Sequence, residues 1–466
     1  MSKPSLITRL DLVGKSISCN GHEIKIGAPV AKGTFCYVFR CIAPETLGPA
    51  STPGEASTSA SSGCAVASSG CAVASSLPIV IKVFRNMRQF RRTVRAISAI
   101  DRDNGSSITD RNYIERILGI GSITIFNAQC NVFDMVPYVL LPYCEIRLKD
   151  FINQYVKQYE RGLPALATLT ITRQLFQALD CLERAHVVHG DLKPGNIMIR
   201  APPVFDDSTV TSFDTVLCDF GSARLMDPKT RACNPACVGT DSFIAPEIML
   251  GLPYTSHADI WSAMVTVFYI ITGDKIFNVF NDNDLDYGID LRGIVLPLAE
   301  EESESSEDHE MSITDDDTSN GGDYDTNAAD DIDFATFYAF TVLMYKLLGK
   351  PPEAFCALAA DYYYNGIPRY HPNLIPSNIQ HFFGINYHNL NRNAMLLIEE
   401  FLLLGLQYMD TDRSSASTIL THRFLSPLQL YDRDPTSVPI TTVPESKSPA
   451  ARGNSKKQKK KHNTRL

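Results

Sequence analysis

The protein has 466 residues, of which 44% are hydrophobic and 20% charged, and its formal net charge is −9. This hydrophobic fraction can fill a sizeable core, so the composition excludes a globally disordered chain. No apolar run reaches the roughly 18 residues of a membrane-spanning helix, and no secretory signal is recognisable, so we expect no membrane partner. The 12 cysteines show no metal-ligand spacing, which favours reduced thiols and a cytoplasmic or nuclear location.

Charge is distributed unevenly along the chain. Residues 300–333 contain 15 acidic residues and no Lys or Arg. Without them 43 basic residues face 37 acidic ones, a charge of +6. We expect a solvated, disordered acidic insert over 299–333 and a disordered basic tail over 430–466. The Lys-rich run 456–461 suits either nuclear import or a soluble terminus.

The first predicted elements are strands. Residues 24–42 suggest two strands around a glycine-containing turn, and the β-branched segment 79–84 suggests a third strand, which carries Lys82. Between them, residues 44–78 are rich in Ser, Ala, Gly and Pro and repeat SSGCAVA in tandem. We predict a flexible insert there.

Four arginines follow at helical spacing: Arg88, Arg91, Arg92 and Arg95. They would share one helix face. Such a face is either solvated or a docking site for an acidic or phosphorylated partner. The chain's own 300–333 segment could also be attracted to it.

The remainder of the chain is predicted to be mostly helical. Residues 168–185 have amphipathic periodicity, 260–271 are apolar all round and should form a buried helix, and 395–408 suggest another core helix. A strand-rich part of about 140 residues therefore precedes a larger helix-rich part.

The strongest chemical signal is HGDLKPGN at residues 189–196. Its residues suit phosphoryl transfer: Asp191 can accept a hydroxyl proton, Lys193 can neutralise the moving phosphoryl group, and Asn196 can hold Mg²⁺. Asp219, in the later Asp-Phe-Gly, suits a second metal ligand, and an Ala-Pro-Glu at 245–247 follows. The order of the three motifs is hard to produce by chance.

With these motifs the sequence resembles the eukaryotic protein kinases over residues 24–425. The resemblance implies an α+β, bilobal fold with a small antiparallel β-rich N-lobe (24–141) and a larger α-helical C-lobe (145–425). Residues 1–23 would be an N-terminal extension. It also implies ATP and Mg²⁺ as cofactors and proteins as substrates, with no direct readout of nucleic acid.

Roles for individual residues follow from the same resemblance. Lys82 would bind the α- and β-phosphates, with Glu115 on the next helix as its partner. Leu141 would be the gatekeeper, and the Pro142 carbonyl and the Cys144 amide would meet adenine. The predicted nucleotide-binding set is Val30, Ala31, Gly33, Val38, Val80, Lys82, Leu141, Cys144 and Met198.

Three further residues match family positions outside the catalytic motif. Thr240 resembles the Thr that hydrogen-bonds the catalytic Asp and Lys in Ser/Thr kinases, which favours Ser/Thr phosphorylation. Asp259 matches the buried Asp that braces the catalytic loop, and Arg413 matches the Arg that pairs with Glu247. A buried Glu without such a partner would be costly.

The chain also departs from the family pattern. Only Gly33 remains of the three glycines in the phosphate-covering loop, and Gly190 replaces the usual Arg before Asp191. Since that Arg reads a phosphate on the activation segment, we predict that phosphorylation there is not required. Several stretches resemble CMGC-group kinases, such as the SR-protein, dual-specificity tyrosine-regulated and pre-mRNA-processing kinases. The segment 240–244 lacks the arginines of that group, and Asp241 would instead favour a basic substrate residue.

Two functions remain open at this point. An active serine/threonine kinase is favoured by the intact Lys82, Asp191, Asn196 and Asp219, which a scaffold would not need. A pseudokinase scaffold that binds partners without turnover is favoured by the eroded glycine loop.

Overall fold

A computed structural model describes part of the chain. The described residues are 12–19, 22–33, 36–42, 78–103, 110–127, 132–160, 162–200, 205–206, 209–210, 214–235, 238–273, 344, 347–349, 351–362 and 392–426. The insert predicted over 44–78 lies outside them except for Pro78. The acidic insert 299–333 and the tail 430–466 lie wholly outside the described residues.

The first part of the chain forms a six-stranded sheet in the order β1-β2-β3-β4-β6-β5, with every neighbouring pair antiparallel. The strands are Ser16–Cys19 (β1), His22–Lys32 (β2), Cys36–Ile42 (β3), Ile79–Phe84 (β4), Gly119–Asn127 (β5) and Val132–Pro142 (β6). The three strands predicted from sequence are present. The sheet also includes β1, which lies within the segment predicted as an N-terminal extension.

Strand β4 places its lysine by simple alternation. Ile81 and Val83 face the core of the sheet, whereas Val80 and Phe84 belong to a second apolar cluster on the opposite face. Side chains two residues apart share a face of a strand. Lys82 therefore lies on the same face as Val80 and Phe84.

Helix α1, Met87–Arg102, follows β4 directly. It begins where the Asn86 side chain accepts a hydrogen bond from the Arg88 amide at 2.8 Å. Its buried residues are Thr93, Ala96, Ile97 and Ile100. Of the four predicted face arginines, Arg88, Arg91 and Arg95 are exposed and Arg92 is half-buried.

The larger second part contains the helices Leu148–Tyr159 (α2), Ala165–Arg184 (α3), Pro246–Met249 (α4), His257–Thr272 (α5), Glu353–Tyr362 (α6), Arg392–Leu403 (α7) and Ala416–Leu420 (α8). Helix α5 is buried from Ala258 to Thr272, as its apolar sequence predicted. The described part of the chain contains no helix with the length and apolar character needed to span a membrane.

The helix predicted over 395–408 is shorter than expected, because α7 ends at Leu403. A Cβ at Gly405 would lie 2.6 Å from Met264 Cγ and 2.8 Å from Ile260 Cγ2. The backbone at Gly405 therefore packs directly against α5. Apolar periodicity continues through this turn and hides the end of the helix.

Short strands flank the motifs at 189–196 and 219–221 in the second part of the chain. They are Ile146–Arg147 (β7), Val187–Val188 (β8), Ile197–Ile199 (β9), Phe205–Asp206 (β10), Thr209–Val210 (β11), Thr215–Leu217 (β12) and Arg224–Leu225 (β13). Strand β9 pairs with β7 and β12, β8 pairs with β13, and β10 pairs with β11. The sheet with α1 and the larger helical part form the α+β arrangement that was predicted, a small antiparallel β-rich lobe followed by a larger helical lobe.

Candidate active site

Asp191 and Lys193, in the loop after β8, form a closed hydrogen-bond network with Thr240 from a later segment of the chain. Lys193 Nζ donates to Asp191 Oδ2 at 2.7 Å and to Thr240 Oγ1 at 2.6 Å. Thr240 Oγ1 donates to Asp191 Oδ1 at 2.7 Å. Asn196 Nδ2 closes the loop on itself by donating to the Asp191 backbone carbonyl at 2.7 Å. All four predicted residues are therefore brought together.

A buried carboxylate on α5 braces this loop. Asp259, 2% exposed, accepts hydrogen bonds from the His189 amide at 2.6 Å and from the Gly190 amide at 3.0 Å. Burial raises the pKa of Asp259, while His189 and the two amides oppose the rise. The left-handed backbone at Gly190 (φ +76°) would place a Cβ 3.1 Å from the Ser222 carbonyl oxygen, so glycine suits this position.

Lys82 reaches across from the sheet to the end of β12. Its Nζ lies 2.9 Å from Asp219 Oδ1, although 137 residues separate the two in sequence. Burial disfavours the Lys82 charge, but the carboxylates of Asp219 and Glu115 outweigh burial and raise its pKa. The Lys82 ammonium in turn lowers the pKa of Asp219.

Glu115 is not on a helix, and that expectation is wrong. Helix α1 ends at Arg102, and Glu115 follows a short 3₁₀ turn at Asp110–Tyr113 in extended backbone that contacts β12. This backbone contact, between Ile114 and Leu217, is incompatible with a helical conformation at that point. The carboxylate is nevertheless buried at the site, where Oε2 accepts a hydrogen bond from the Asp219 amide at 3.4 Å.

The residues predicted around adenine are only partly gathered. Val80 and Leu141 are paired across β4 and β6 and share one apolar cluster, against which Val38 packs. Met198 is half-buried on β9 in the larger lobe, and Cys144 is half-buried, with its thiol pKa raised to about 11 by burial. The hairpin residues Val30, Ala31 and Gly33 are exposed.

The predicted metal ligands are neighbours. The Cys218 amide donates to the Asn196 carbonyl at 2.8 Å, which places Asp219 beside Asn196. The side-chain nitrogen of Asn196 donates hydrogen bonds to Asp191, so the side-chain oxygen of Asn196 is the atom that could coordinate a cation. The Asp219 side chain is 49% exposed and could coordinate the same cation. Two oxygen ligands fit Mg²⁺, which keeps several waters and needs few protein ligands. No group of three or more His, Cys, Asp or Glu suited to a metal occurs among the described residues.

Cys36 is one site residue that the sequence did not reveal. It occupies the position of the third loop glycine, which the pattern registers only as a loss. In the structure the Cys36 thiol lies close enough to Lys82, Asp219 and Glu115 for all three charges to act on its pKa, which burial raises. Its position two residues before Val38 on β3 could have indicated that it faces the same side.

A buried ion pair supports the segment that follows Thr240. Arg413 donates to Glu247 from Nη1 at 2.6 Å and from Nη2 at 2.7 Å. Arg413 also donates to the His257 carbonyl at 3.0 Å and lies over the Trp261 ring at 5.3 Å. The pairing predicted from two distant motifs is present.

Comparisons with known proteins agree with this geometry. A family model described as a protein kinase domain matches residues 123–425. Serine/threonine-protein kinase D2 of Rattus norvegicus is 29% identical over 150 residues, which is 32% of this chain and 16% of the relative. Serine/threonine-protein kinase prp4 of Schizosaccharomyces pombe is 28% identical over 34% of this chain and 29% of the relative.

Serine/threonine-protein kinase ATG1a of Arabidopsis thaliana is 29% identical over 34% of this chain and 25% of that relative. The matched regions thus span less than a third of each relative's length. The family model, by contrast, covers more than half of this chain, and the chain belongs to the protein kinase domain family.

Proposed function

We propose that this protein is a serine/threonine protein kinase that transfers the γ-phosphoryl group of ATP to Ser or Thr hydroxyls of protein substrates. The observation that carries the proposal is the network of Asp191, Lys193 and Thr240, whose polar atoms lie within 3.0 Å of one another. Phosphoryl transfer depends mainly on positioning and on neutralising charge, and such a network provides both.

The chain's own residues would divide the chemistry as follows. Asp191 accepts the proton of the attacking hydroxyl, and Lys193 neutralises charge on the transferred group. Lys82 binds the α- and β-phosphates from the side of the sheet. Asn196 and Asp219 would hold Mg²⁺, which when bound supplies positive charge to the phosphates.

The alternative is a pseudokinase scaffold that has kept the fold without turnover. The eroded glycine loop supports it, but the arrangement around Asp191 does not. Asp191, Lys193, Thr240 and Asn196 are joined by matched hydrogen bonds, an arrangement that phosphoryl transfer requires and that a partner-binding scaffold does not.

Turnover of Mg-ATP on a generic basic protein separates the two functions. We expect activity in the wild type and a loss of at least roughly 100-fold in Asp191→Asn, which keeps hydrogen-bond acceptors but lacks the base. Binding of ATP, measured by thermal shift, should remain in both. If both proteins are equally inert and neither binds ATP, the scaffold is the correct function.

We also propose that the exposed face of α1 docks an acidic or phosphorylated protein segment. Arg88, Arg91 and Arg95 are exposed on one side of the helix, and the first turn of α1 contains no acidic residue. Arginine suits the bidentate recognition of carboxylates and phosphates. Binding of a phosphorylated acidic peptide should weaken strongly between low and high salt and be lost in Arg88→Glu/Arg91→Glu/Arg95→Glu.

A merely solvated face would leave peptide binding unchanged in that triple variant. The matched control is Lys149→Glu/Lys157→Glu, which changes exposed charge on α2 instead. If deletion of 300–333 increases peptide binding, the chain's own acidic segment competes for the same face.

A further inference from the structure

The cysteine at the start of β3 faces the same side of the sheet as Lys82. Cys36 lies directly opposite Phe84 in the register of β3 and β4, and Val38 lies directly opposite Lys82. Directly opposite residues share a face of a sheet, and diagonal neighbours remain within reach of long side chains. The Lys82 ammonium lies 5.4 Å from the centre of the Phe84 ring. The Cys36 side chain therefore points to the part of the cleft that holds Lys82.

The same thiol packs against Gly33, which lies between β2 and β3. A Cβ at Gly33 would lie 3.1 Å from Cys36 Sγ, a tighter approach than Cβ atoms normally make. The Gly33 amide donates a hydrogen bond to the Cys36 carbonyl at 3.0 Å, which holds the two residues in this arrangement. The half-buried Cys36 side chain thus occupies space between Gly33 and the lysine.

Under the proposed function this space receives the phosphates of the nucleotide. Lys82 would bind the α- and β-phosphates, and Asp219, 2.9 Å from the Lys82 ammonium, would hold the accompanying Mg²⁺. A glycine at position 36 would let the backbone approach a phosphate closely, because glycine has no Cβ. Cysteine instead adds a Cβ and a sulfur atom on the side of the cleft.

The thiol acts there through its size and its low polarity. Burial raises the pKa of Cys36, so the side chain is neutral near pH 7 and does not repel phosphate by charge. The adenine end of the cleft is more distant, since Val80 pairs with Arg40, four residues from Cys36 along β3. Four residues of a strand span about 13 Å. Position 36 is therefore suited to act on the phosphates and not on the base.

We infer that Cys36 is a specificity-determining residue, which limits how closely a polyphosphate approaches Lys82 and thereby sets the affinity for a nucleotide relative to its nucleoside. It rests on the proposed kinase function, since that function places phosphates at Lys82. It deepens that function by naming the side chain that controls binding of the phosphate part of the nucleotide.

The affinities of variants for Mg-ADP and for adenosine, measured by isothermal titration calorimetry, test this role without any turnover. Cys36→Gly should bind Mg-ADP roughly threefold more tightly, and the larger Cys36→Val should bind it roughly tenfold more weakly. Adenosine has no phosphate, so its affinity should change by less than about twofold in both variants. Equal changes for the two ligands, or weaker binding of Mg-ADP by Cys36→Gly, would overturn the inference.

Cys41 provides the matched control. It lies on the same strand, is also half-buried, and packs against the apolar core on the opposite face of the sheet. Cys41→Gly and Cys41→Val should leave the ratio of the two affinities unchanged. A ratio that changes as much in these variants as in those at Cys36 would contradict a role specific to position 36.

Alkylation of the wild-type protein gives an answer even if a variant fails to fold. A thiolate displaces iodide from iodoacetamide and forms a thioether, which mass spectrometry detects at each cysteine. Mg-ADP at ten times its Kd should slow labelling of Cys36 roughly tenfold, whereas labelling of Cys41 should stay unchanged. Adenosine should not protect Cys36. If Mg-ADP binds without protecting Cys36, or if neither ligand binds, the inference is overturned.

Kinase assays on the same variants separate this role from the proposed function. Cys36→Gly should lower the KM for ATP roughly threefold and leave kcat within about twofold, because the phosphates are bound in both the ground state and the transition state. A lowered kcat with an unchanged KM would contradict the inference. If the wild type shows no turnover, the proposed function fails, while the affinities for Mg-ADP and adenosine still decide the role of Cys36.

Discussion

At the scale of single residues, Thr240 links the catalytic loop to the segment that would face a substrate. Its hydroxyl accepts a hydrogen bond from Lys193 at 2.6 Å and donates one to Asp191 at 2.7 Å. Lys193 and Asp191 are also in direct contact, so they would remain paired without Thr240. What the hydroxyl adds is a fixed orientation of the pair.

We predict that Thr240→Val lowers kcat by roughly 10- to 100-fold, because a small misplacement of catalytic groups is enough for such a loss. The KM for ATP should change by less than about twofold, since the hydrogen bonds of the Thr240 side chain among the described residues go to Lys193 and Asp191 and not to Lys82 or Asp219. Steady-state kinetics at varied ATP would measure both values. Thr240→Ser keeps the hydroxyl and should retain most activity, and equal losses in the two variants would contradict the prediction.

At the scale of elements, one carboxylate joins the end of α3 to the start of α8. Glu183 Oε2 accepts the Ala416 amide at 3.1 Å, while Glu183 Oε1 is buried with no hydrogen-bond partner in the described part of the chain. Burial raises the pKa of Glu183 to about 7, and the Ala416 amide only partly opposes it. The folded protein therefore keeps the Glu183 side chain protonated up to a higher pH than the unfolded chain does.

The sign of the resulting pH dependence follows from this shift. The folded protein binds a proton that the unfolded chain releases above its ordinary pKa of 4.5, so stability should fall as pH rises from about 4.5 to about 7. Glu183→Gln should make the fall in stability shallower, with the remainder due to other buried carboxylates such as Asp259, and should be more stable than the wild type at pH 8. Urea unfolding between pH 5 and pH 8 would test it, with the exposed Glu353→Gln on α6 as control. A slope as steep in Glu183→Gln as in the wild type would refute the assignment.

The ion pair between Glu247 and Arg413 connects α4 to the turn before α8, and both side chains are nearly inaccessible. We predict that Arg413→Met destabilises the protein by about 3–5 kcal/mol, because it leaves a buried carboxylate without its cation. Replacing both residues, in Glu247→Leu/Arg413→Met, should cost less than the sum of the single changes. Additive free energies of unfolding would show that the pair is not coupled.

At the scale of the whole molecule, the segment between the Asp-Phe-Gly at 219–221 and the Ala-Pro-Glu at 245–247 is held by hydrogen bonds that need no phosphate. Strand β13 pairs with β8, and the Asp227 side chain closes a turn by accepting the amides of Lys229 and Thr230 at 2.7 and 3.1 Å. Cys233 and Tyr254 then exchange backbone hydrogen bonds of 2.7 and 3.3 Å. Gly190 has no side chain with which to read a phosphate.

We therefore predict that activity does not depend on phosphorylation of residues 222–244. Phosphatase-treated protein should keep its specific activity within about threefold, and Thr230→Ala should behave likewise, since Thr230 is exposed and contributes only its amide. Mass spectrometry must confirm that phosphate has been removed. Loss of activity on dephosphorylation, restored by rephosphorylation, would refute the prediction.

Much of this architecture follows from the sequence, and the exceptions have physical causes. Strand β4 could be predicted from its β-branched residues and helix α5 from its continuous apolar sequence. The pairing of Glu247 with Arg413 followed from the family resemblance, and the cost of an unpaired buried charge supported it. The end of α7 could not be predicted, because apolar residues continue past Leu403 and the close approach of Gly405 to α5 is a tertiary contact.

The placement of Glu115 was beyond sequence reasoning for a related reason. Because no other Glu lies between Lys82 and Glu115, the sequence singled out Glu115, whose charge acts on Lys82 in the structure. The same count could not show that the backbone there pairs with Leu217, since this contact joins segments about a hundred residues apart. Residue type was enough to identify Glu115 as the acidic residue near Lys82, whereas the element that holds Glu115 depends on backbone pairing between distant segments.

The brace on α5 has a consequence for how the protein would lose its activity on heating. The amide hydrogens of His189 and Gly190 point at Asp259, inside a helix buried from Ala258 to Thr272. Such hydrogens can exchange with solvent only when the most protected part of the molecule opens. The loop beside Asp191 should therefore exchange as slowly as the interior, and inactivation should coincide with global melting and not precede it.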